Sequence, residues 1–340
     1  MGALRWGAAF AASVAVLASL PAAAQTDFYR DKQLKLIVGT DAGGSYDFSG
    51  RLIARHIGRA IPGNPQIVVQ NMPGAASMNA ANYVYNVAPQ DGTVIAAFVQ
   101  TLPQTQVFGD KNVKFDAAKF HWIGNPSSSV TVVVAWHSSP VKTFAAALER
   151  PIVMGAAGQV GLDFTMPWLL NNVLGTKFQV VPGYKGGNEI DLALERGEVS
   201  GRAGQSWDGW KVTRPDWVRD RKIVPLVQIG LAKAGDLPEV PLALDLAKTD
   251  EQRRIVELFS STVAIGRPLV TGPRVPADRV ALLRGAFRAT MSDRQFLDEA
   301  AKTGYEVAPI YGEDLQALIE HLMTTPPDIA AKAQQAIAAR

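Results

Sequence analysis

A strand, a glycine-bearing loop and a helix follow one another near the start of the chain, in LKLIVGTDAGGSYDFSGRLIARHI at residues 34–57. Residues 34–38 are apolar and long enough for a buried strand, and residues 39–45 break this run before apolar residues recur at helical spacing from Phe48 onward. A unit of this kind buries its strand under its helix. It therefore predicts a layered α/β fold.

The loop of this unit precedes a helix N-terminus, where backbone N–H groups lack intrahelical partners and the helix dipole is positive. Gly43 and Gly44 allow a ligand to approach the backbone closely. Asp47 in the first turn, and Arg55 and Arg59 near the end, have the charges that the dipole favours. Two interpretations stay open, an anion-binding loop and an ordinary βα turn whose glycines help packing.

The same pattern repeats directly afterwards. Residues 66–70 predict a second strand, residues 71–77 a loop, residues from 78 a helix, and residues 93–99 a third strand after a turn at 89–92. This order predicts a parallel sheet with right-handed crossovers. Its loops leave the carboxyl ends of the strands, where open α/β sheets bind ligands, so the two loops could share one carboxylate. Asn71 and Ser77 could equally be turn and N-cap residues.

A second α/β lobe is predicted beyond a Pro/Ser segment that could cross between lobes. Its strands are expected at residues 130–135, 152–154 and 177–181, in a short stretch containing Arg202, and at 222–230, the last returning toward the first lobe. The remainder includes an apolar segment at 262–265. Helical patterns follow at 277–291, 293–303, 313–323 and 328–339, and these we assign to packing.

The chain has 340 residues, a net charge of +3, 47% hydrophobic residues and no cysteine. At this size a single core usually splits into two, and no disulfide can assist it. The first residues carry one arginine, an apolar run and Ala22-Ala23-Ala24, which predicts a secretory signal peptide cleaved after Ala24 and a periplasmic location. The run is too short for a membrane anchor, the alternative interpretation. Scattered lysines and arginines argue against nucleic acid as a partner.

Signatures of exported enzymes are absent from the sequence. It contains no H-E-x-x-H, G-x-S-x-G or G-x-x-x-x-G-K-[ST] motif, and its four histidines show no metal-ligand spacing. We therefore expect no catalytic residues, no metal and no cofactor.

Several segments in one order resemble the receptors of tripartite tricarboxylate transporters, the Bug-type extracytoplasmic solute-binding proteins. They are the signal peptide, the opening 34–57 segment, NMPGAAS followed by NAANYVYNVAPQDGTVI, GAAGQVG, VPGYKGGNEIDLALERGEVSG and DLPEVPLALDLA. The resemblance covers essentially the whole mature chain. Its specificity lies in the set of segments and not in any one of them.

The resemblance implies a two-lobed periplasmic binding-protein fold of the type II-like kind, with a mostly parallel sheet flanked by helices in each lobe and the ligand cleft between them. We assign residues 25–126 and 232–340 to the first lobe and residues 127–231 to the second. The implied function is capture of a small organic carboxylate, such as a di- or tricarboxylate, by a monomer that delivers it to membrane permease subunits. A periplasmic sensor or partner-binding protein using the same cleft is the alternative, and an exported hydrolase a more distant one.

The ligand-binding residues are carried over from the matching motifs of that family. The resemblance implies contacts from Gly43, Gly44, Ser45, Asp47, Asn71, Gly74, Ala75, Ser77, Gly158, Gln159, Gly161, Tyr184, Lys185, Gly186, Arg202, Ser206 and Asp208.

Three departures from the family's pattern bear on the ligand. Asp41 adds a negative charge to the first loop, where it could face solvent or select a ligand with an amino group. Gly183 is an extra glycine, and GRAGQSWDGW is unusually polar. Arg202 could clamp a carboxylate through its bidentate fork, or it could be a surface arginine on an edge strand.

Overall fold

The computed structural model describes residues 28–128, 130–158 and 161–339. The predicted signal peptide and Gln159 lie outside these residues. Within them the chain forms two mixed β-sheets flanked by helices, and neither sheet closes into a barrel.

Six strands of the described chain form the first sheet, in the order β11-β4-β10-β3-β1-β2, and five form the second, in the order β7-β6-β8-β5-β9. The strands are β1 (Gln33–Val38), β2 (Gln66–Asn71), β3 (Val94–Ala97), β4 (His121–Asn125), β5 (Thr131–Trp136), β6 (Ile152–Ala156), β7 (Phe178–Pro182), β8 (Gly201–Ser206), β9 (Ile223–Ile229), β10 (Leu269–Thr271) and β11 (Ile310–Tyr311).

Helices cover both sheets. They are α1 (Ser45–Ile57), α2 (Met78–Asn86), α3 (Leu102–Val107), α4 (Phe144–Glu149), α5 (Leu162–Leu169), α6 (Gly187–Arg196), α7 (Trp207–Thr213), α8 (Pro215–Arg219), α9 (Ala243–Leu246), α10 (Asp250–Ile265), α11 (Ala277–Met291), α12 (Arg294–Lys302), α13 (Gly312–Met323) and α14 (Pro327–Ala336).

Strand directions agree with the predicted crossovers. In the first sheet β1 pairs parallel with β2 and β3, whereas β10 pairs antiparallel with both β3 and β4. In the second sheet β6 pairs parallel with β7 and β8, whereas β5 pairs antiparallel with β8 and β9. The strands β1 to β4 therefore end at one edge of the first sheet, and β6, β7 and β8 end together at one edge of the second.

Burial of α1 explains why the opening segment folds as it does. Leu52, Ile53 and Ile57 are at most 1% exposed and pack against β1 together with residues of α11 and α12. Each such side chain contributes about 1.5–3 kcal/mol through the hydrophobic effect. Phe48, one helical turn before Leu52, is exposed at 38%.

A second apolar cluster links the two sheets. It contains Trp122 of the first sheet, Met154 of the second, and Val256, Phe259 and Val263 of α10. Because α10 contributes to a core that both sheets share, the long return from β9 to β10 is packed and not a loose linker.

The structure contains elements that the sequence did not predict, among them β4, β10, β11, α3, α4 and α10. The apolar segment 262–265 is the end of α10, a helix that the sequence reading missed because its first half is polar. Strand β4 was also missed, since it is short and contains glycine and asparagine. The lobe boundaries at residues 126 and 231 fit the strand membership of the two sheets, and as boundaries they remain a prediction.

Candidate functional site

A cleft of about 580 Å³ lies between the carboxyl ends of the strands of the two sheets. The first sheet contributes the start of α1 and the residues that follow β3 and β4, and the second contributes the starts of α5 and α7 and the end of β8. The described residues that line it are Ser45, Tyr46, Gln100, Thr101, Ser127, Thr131, Gly161, Leu162, Gly204, Gln205, Ser206, Gly209, Thr213, Val263, Gly266 and Arg267.

The loop before α1 is held by Asp47. Its carboxylate accepts a hydrogen bond from the Gly43 N–H at 2.8 Å, from Arg51 Nε at 2.9 Å and from Asn71 Nδ2 at 2.9 Å. Asn71 also donates to the Thr40 carbonyl at 3.0 Å. Asp47 and Asn71 thus tie the first loop to the end of β2 through contacts within the protein.

The ionisation of Asp47 follows from these bonds. The hydrogen bond from Arg51 lowers the pKa of the carboxyl from 3.8 to about 2, helped by Gly43 and Asn71 and opposed by burial. Asp47 is 3% exposed, so it carries a buried negative charge with a matched guanidinium.

Left-handed backbone shapes the second loop. Gly74, Ala75, Ala76 and Ser77 all have positive φ, from 47° to 125°. Ser77 is fully buried, donates its hydroxyl to the Gly39 carbonyl at 3.0 Å and accepts from the Val99 N–H at 3.1 Å. The Ser77 side chain therefore ties the ends of β1 and β3 together.

The turn between α10 and β10 brings an arginine to the cleft. Gly266 has a φ of 63°, and a Cβ at this position would meet Asn125 Nδ2 and would lie 2.6 Å from the Ser127 carbonyl. The next N–H, of Arg267, donates to Asn125 Oδ1 at 3.0 Å. Asn125 thereby fixes the direction in which Arg267 leaves the turn.

Arg267 is the charged residue among the described residues that line the cleft. Within the described chain it forms no ion pair with a carboxylate, and its buried Nε has no hydrogen-bond partner. Its guanidinium carbon lies 6.0 Å from the ring centroid of Tyr46 and 5.9 Å from that of Tyr305, within the range of cation–π attraction. A cation without a matched anion is thus available to a ligand.

Hydrogen bonds hold the side chains of both tyrosines in place. Tyr46 accepts from the Gln100 N–H at 3.1 Å, and the hydroxyls of Tyr305 and Ser49 are 2.8 Å apart. Burial raises the pKa of both phenols, and the charge of Arg267 opposes that rise. Both rings are therefore neutral, rigid walls beside the guanidinium.

Arg202 does not reach the cleft as a free clamp. It lies on β8, an inner strand, is 9% exposed, and its Nη1 pairs with Asp191. Arg214 pairs with the second oxygen of Asp191 at 2.9 Å. The expectation of a surface arginine on an edge strand is wrong, since β8 has neighbours on both sides and Asp191 compensates the buried charge.

Arg202 acts on the cleft through Gln205. Its Nη2 donates to Gln205 Oε1 at 2.9 Å, and Gln205 Nε2 donates to Thr213 Oγ1 at 2.9 Å. Thr213 Oγ1 in turn donates a hydrogen bond to the Gly209 carbonyl at 2.8 Å. The hydrogen bond from Arg202 fixes the orientation of the Gln205 amide. The amide oxygen faces the arginine, and the two amide N–H groups face away from it.

The loop before α5 is held by an aspartate of the following helix, as the loop before α1 is held by Asp47. Asp163 Oδ2 accepts from the Ala157 N–H at 2.7 Å, and Asp163 Oδ1 lies against the Cα of Gly161, where a Cβ would collide with it. Unlike Asp47, Asp163 forms no ion pair within the described residues. A negative charge thus lies at the second-sheet side of the cleft.

Asp208 borders a neighbouring pocket instead. Lys211 Nζ lies 2.9 Å from Asp208, 3.3 Å from Asp236 and 3.5 Å from Glu306. Burial lowers the pKa of Lys211, but its hydrogen bond to Asp208 and the charges of the other two carboxylates raise it overall. The group joins α7 of the second lobe to the segment before β11.

Of the predicted site residues, three line the cleft, Ser45, Gly161 and Ser206. Ser206 caps α7 by accepting the Gly209 N–H at 3.1 Å. Tyr184 packs over Gly155, and burial raises its pKa. The Cβ positions of Gly43, Gly158 and Gly186 have no atom within 4 Å. Lys185 donates its N–H to Glu189 in the first turn of α6, and Gln159 lies outside the described residues.

Sequence reasoning missed Arg267, Tyr46, Gln100 and Gln205. The signal that could have found Arg267 is Gly266-Arg267-Pro268, a basic residue between a glycine and a proline at the end of a helix. Within the described chain there is no group of three His, Asp or Glu residues placed to hold a metal ion. The described helices include none that is long and apolar enough to cross a membrane.

The two open sheets, their helices and the cleft between strand ends form a two-lobed fold that this chain shares with solved solute-binding proteins. The chain has the fold of the TctC solute-binding protein from Polaromonas, with a TM-score of 0.71 and 20% identity over 89% of this chain and 99% of that one. It is also similar to Rpa4515 of R. palustris, solved with adipate, with a TM-score of 0.60 and 19% identity over 89% and 98%.

The sequence is 28% identical, over 320 residues, to the UPF0065 protein in the gbd 5′ region of Cupriavidus necator, covering 90% of this chain and 88% of that protein. No family model matches the chain. The predicted resemblance to tricarboxylate-transporter solute-binding proteins is thereby confirmed as a likeness in sequence and fold.

Proposed function

We propose that the protein is an extracytoplasmic solute-binding receptor that captures a small organic carboxylate for a tripartite tricarboxylate-type transporter. It binds without chemistry. The open cleft admits the ligand, and closure of the two lobes adds contacts from the second sheet, so the ligand favours the closed state through its higher affinity for it.

Arg267 is the single observation that carries this proposal. Its guanidinium borders the cleft without a carboxylate partner in the described chain, beside the N-terminus of α1 at Ser45. A guanidinium and helix N–H groups both prefer a planar anion, and Arg binds a carboxylate through a bidentate fork. Leaving this cation unmatched costs free energy, which a bound carboxylate recovers.

The relatives support the same ligand chemistry. Rpa4515 was solved with adipate, a carboxylate, and the Polaromonas protein is described as a TctC solute-binding protein. The proposal includes export through a signal peptide cut after Ala24, lobes divided near residues 126 and 231, a monomeric receptor, and permease subunits as its partner.

A titration of the mature protein, residues 25–340, tests the proposal. Isothermal calorimetry against a panel of mono-, di- and tricarboxylates is expected to yield at least one saturable ligand. The Arg267→Gln variant should weaken that ligand roughly 10- to 100-fold, because a charge-assisted hydrogen bond contributes about 1.5–3 kcal/mol.

Arg274→Gln is the matched control, since Arg274 is exposed just after β10 and does not line the cleft. It should leave the affinity unchanged. An Arg267→Gln variant that remains folded by circular dichroism and binds as tightly as the parent contradicts the proposed site.

A further inference from the structure

We infer that the cleft selects a monocarboxylate whose far end is a neutral hydrogen-bonding group, such as an amide or hydroxyl, over a dicarboxylate of the same length. This inference rests on the proposed function and names the ligand class of the same site. It concerns the second-sheet side of the cleft, which faces the far end of a ligand anchored at Arg267.

The charges around the cleft favour one anionic group. Among the described lining residues Arg267 alone is charged, and it belongs to the first-sheet side. The second sheet lines the cleft with neutral residues, among them Thr131, Gln205, Ser206 and Thr213. A second carboxylate would have to leave water without a side-chain cation to meet it, which is costly in a closed cleft.

Two arginines of the second-sheet side are already paired with a carboxylate. Arg202 pairs with one oxygen of Asp191 and Arg214 with the other. Asp191 is 3% exposed, so releasing either arginine toward a ligand would leave a buried carboxylate with fewer partners. The pair of arginines therefore stays with Asp191 when a ligand binds.

A negative charge opposes a second carboxylate at the same place. Asp163 lies against Gly161, which lines the cleft, and has no ion pair in the described chain. Its carboxylate already accepts the Ala157 N–H. The negative charge of Asp163 thus offsets the positive end of the α5 dipole, which is then less able to attract a second carboxylate of the ligand.

Gln205 can donate a hydrogen bond to a neutral group of the ligand. Its Oε1 accepts from Arg202 and one Nε2–H donates to Thr213, and within the described chain the other N–H meets no acceptor. An amide nitrogen carries two donors, so one N–H remains for an amide or hydroxyl oxygen. The charge of Arg202 polarises this amide and strengthens the bond.

Matched ligand pairs test the inference by calorimetry at pH 7.5. The pairs are succinate with succinamate, adipate with adipamate, and terephthalate with 4-carbamoylbenzoate, which differ in one carboxylate replaced by a primary amide. In the pair whose length fits the cleft, the amide should bind about tenfold or more tightly than the dianion. Tighter binding of the dianion in every pair that binds overturns the inference and leaves the proposed function intact.

Two variants separate the causes. Asp163→Asn keeps an acceptor for the Ala157 N–H and removes the charge, so it should shrink the preference for the amide. Arg267→Gln should weaken both members of a pair and leave their ratio nearly unchanged. An unchanged ratio in a folded Asp163→Asn protein contradicts the electrostatic argument, and failure of the whole panel of mono-, di- and tricarboxylates to bind the parent protein overturns the proposed function itself.

Discussion

Asp47 shows how a single side chain prepares the cleft. A first-turn aspartate usually stabilises its own helix through the dipole, and the sequence supports that interpretation. In the fold it also gathers Gly43, Arg51 and Asn71 around one carboxylate. Because these partners come from a loop, a helix and a strand, the charge of Asp47 determines the shape of the loop.

Acid should therefore loosen this loop. The pKa of Asp47 is depressed from 3.8 to about 2, so its stabilising contribution is fully present above pH 3.8 and is lost as the pH falls through 2. Asp47→Asn should lower the free energy of unfolding at pH 7 by roughly 1–3 kcal/mol and flatten its pH dependence between pH 4 and pH 2. Urea denaturation at a series of pH values measures both effects.

Asp41→Asn is the control, since Asp41 is an exposed carboxylate of the same loop. It should follow the parent protein at every pH. If Asp47→Asn retains the full slope of the parent below pH 4, the carboxylate does not hold the loop.

At the scale of elements, the turn from α10 to β10 matters most. It carries Arg267, and its geometry depends on Gly266, whose positive φ of 63° and contact with the Ser127 carbonyl exclude a side chain. The backbone at Gly266 is a conformation that other residues rarely adopt. A short turn thus sets where the cleft receives its positive charge.

Gly266→Ala should cost roughly 1–3 kcal/mol of folding free energy and weaken carboxylate binding, because the turn must shift to admit the methyl group. Thermal and urea unfolding together with calorimetry measure the two effects. Gly285→Ala is the matched control. Gly285 is exposed within α11 and its Cβ would meet nothing within 4 Å, so this change should stabilise by about 0.5–1 kcal/mol. Equal stability of the two variants would contradict the strain at Gly266.

The sequence predicted the elements whose pattern is local. The unit from β1 to α1 could be recognised because strand, loop and helix are contiguous and their apolar residues keep one period. The cleft was harder, since Arg267 meets Tyr46 across more than two hundred residues and has no periodic signal of its own. The pairing of Arg202 with Asp191 was equally hidden, because a carboxylate on α6 can satisfy an arginine on β8 only once both are packed.

At the scale of the whole molecule, a cluster of charges joins the two lobes. Lys211 on α7 lies within ion-pair distance of Asp208 and Asp236 and also of Glu306, which belongs to the segment before β11. Burial raises the pKa of Glu306, and the hydrogen bond with Asp208 and its charge raise it further, whereas Lys211 lowers it. The pKa of Glu306 is therefore raised overall.

Neutralising Glu306 should therefore stabilise the protein at neutral pH. A raised folded pKa makes a contribution that is fully present below the ordinary value of 4.5 and is lost as the pH rises through the folded value. Glu306→Gln should raise the melting temperature slightly at pH 7–8 and should match the parent at pH 4. The gain in the free energy of unfolding should stay below about 1 kcal/mol, because the side chain is partly exposed.

Differential scanning calorimetry across this pH range provides the measurement, and Glu195→Gln, a change at an exposed position of α6, provides the control. A melting temperature that falls at pH 7–8 in the Glu306 variant would mean that its attraction to Lys211 outweighs its repulsion from Asp208.

The position of β10 has a consequence for how the chain acquires its structure. The strands of the second sheet come from one continuous stretch, Thr131 to Ile229. In the first sheet, β10 at Leu269–Thr271 lies between β3 and β4, which precede it by far in the sequence. Pairings so distant in sequence form slowly. The second lobe can therefore fold first. Until β10 pairs with β3 and β4, the unpaired backbone groups of those two strands can form non-native strand pairings.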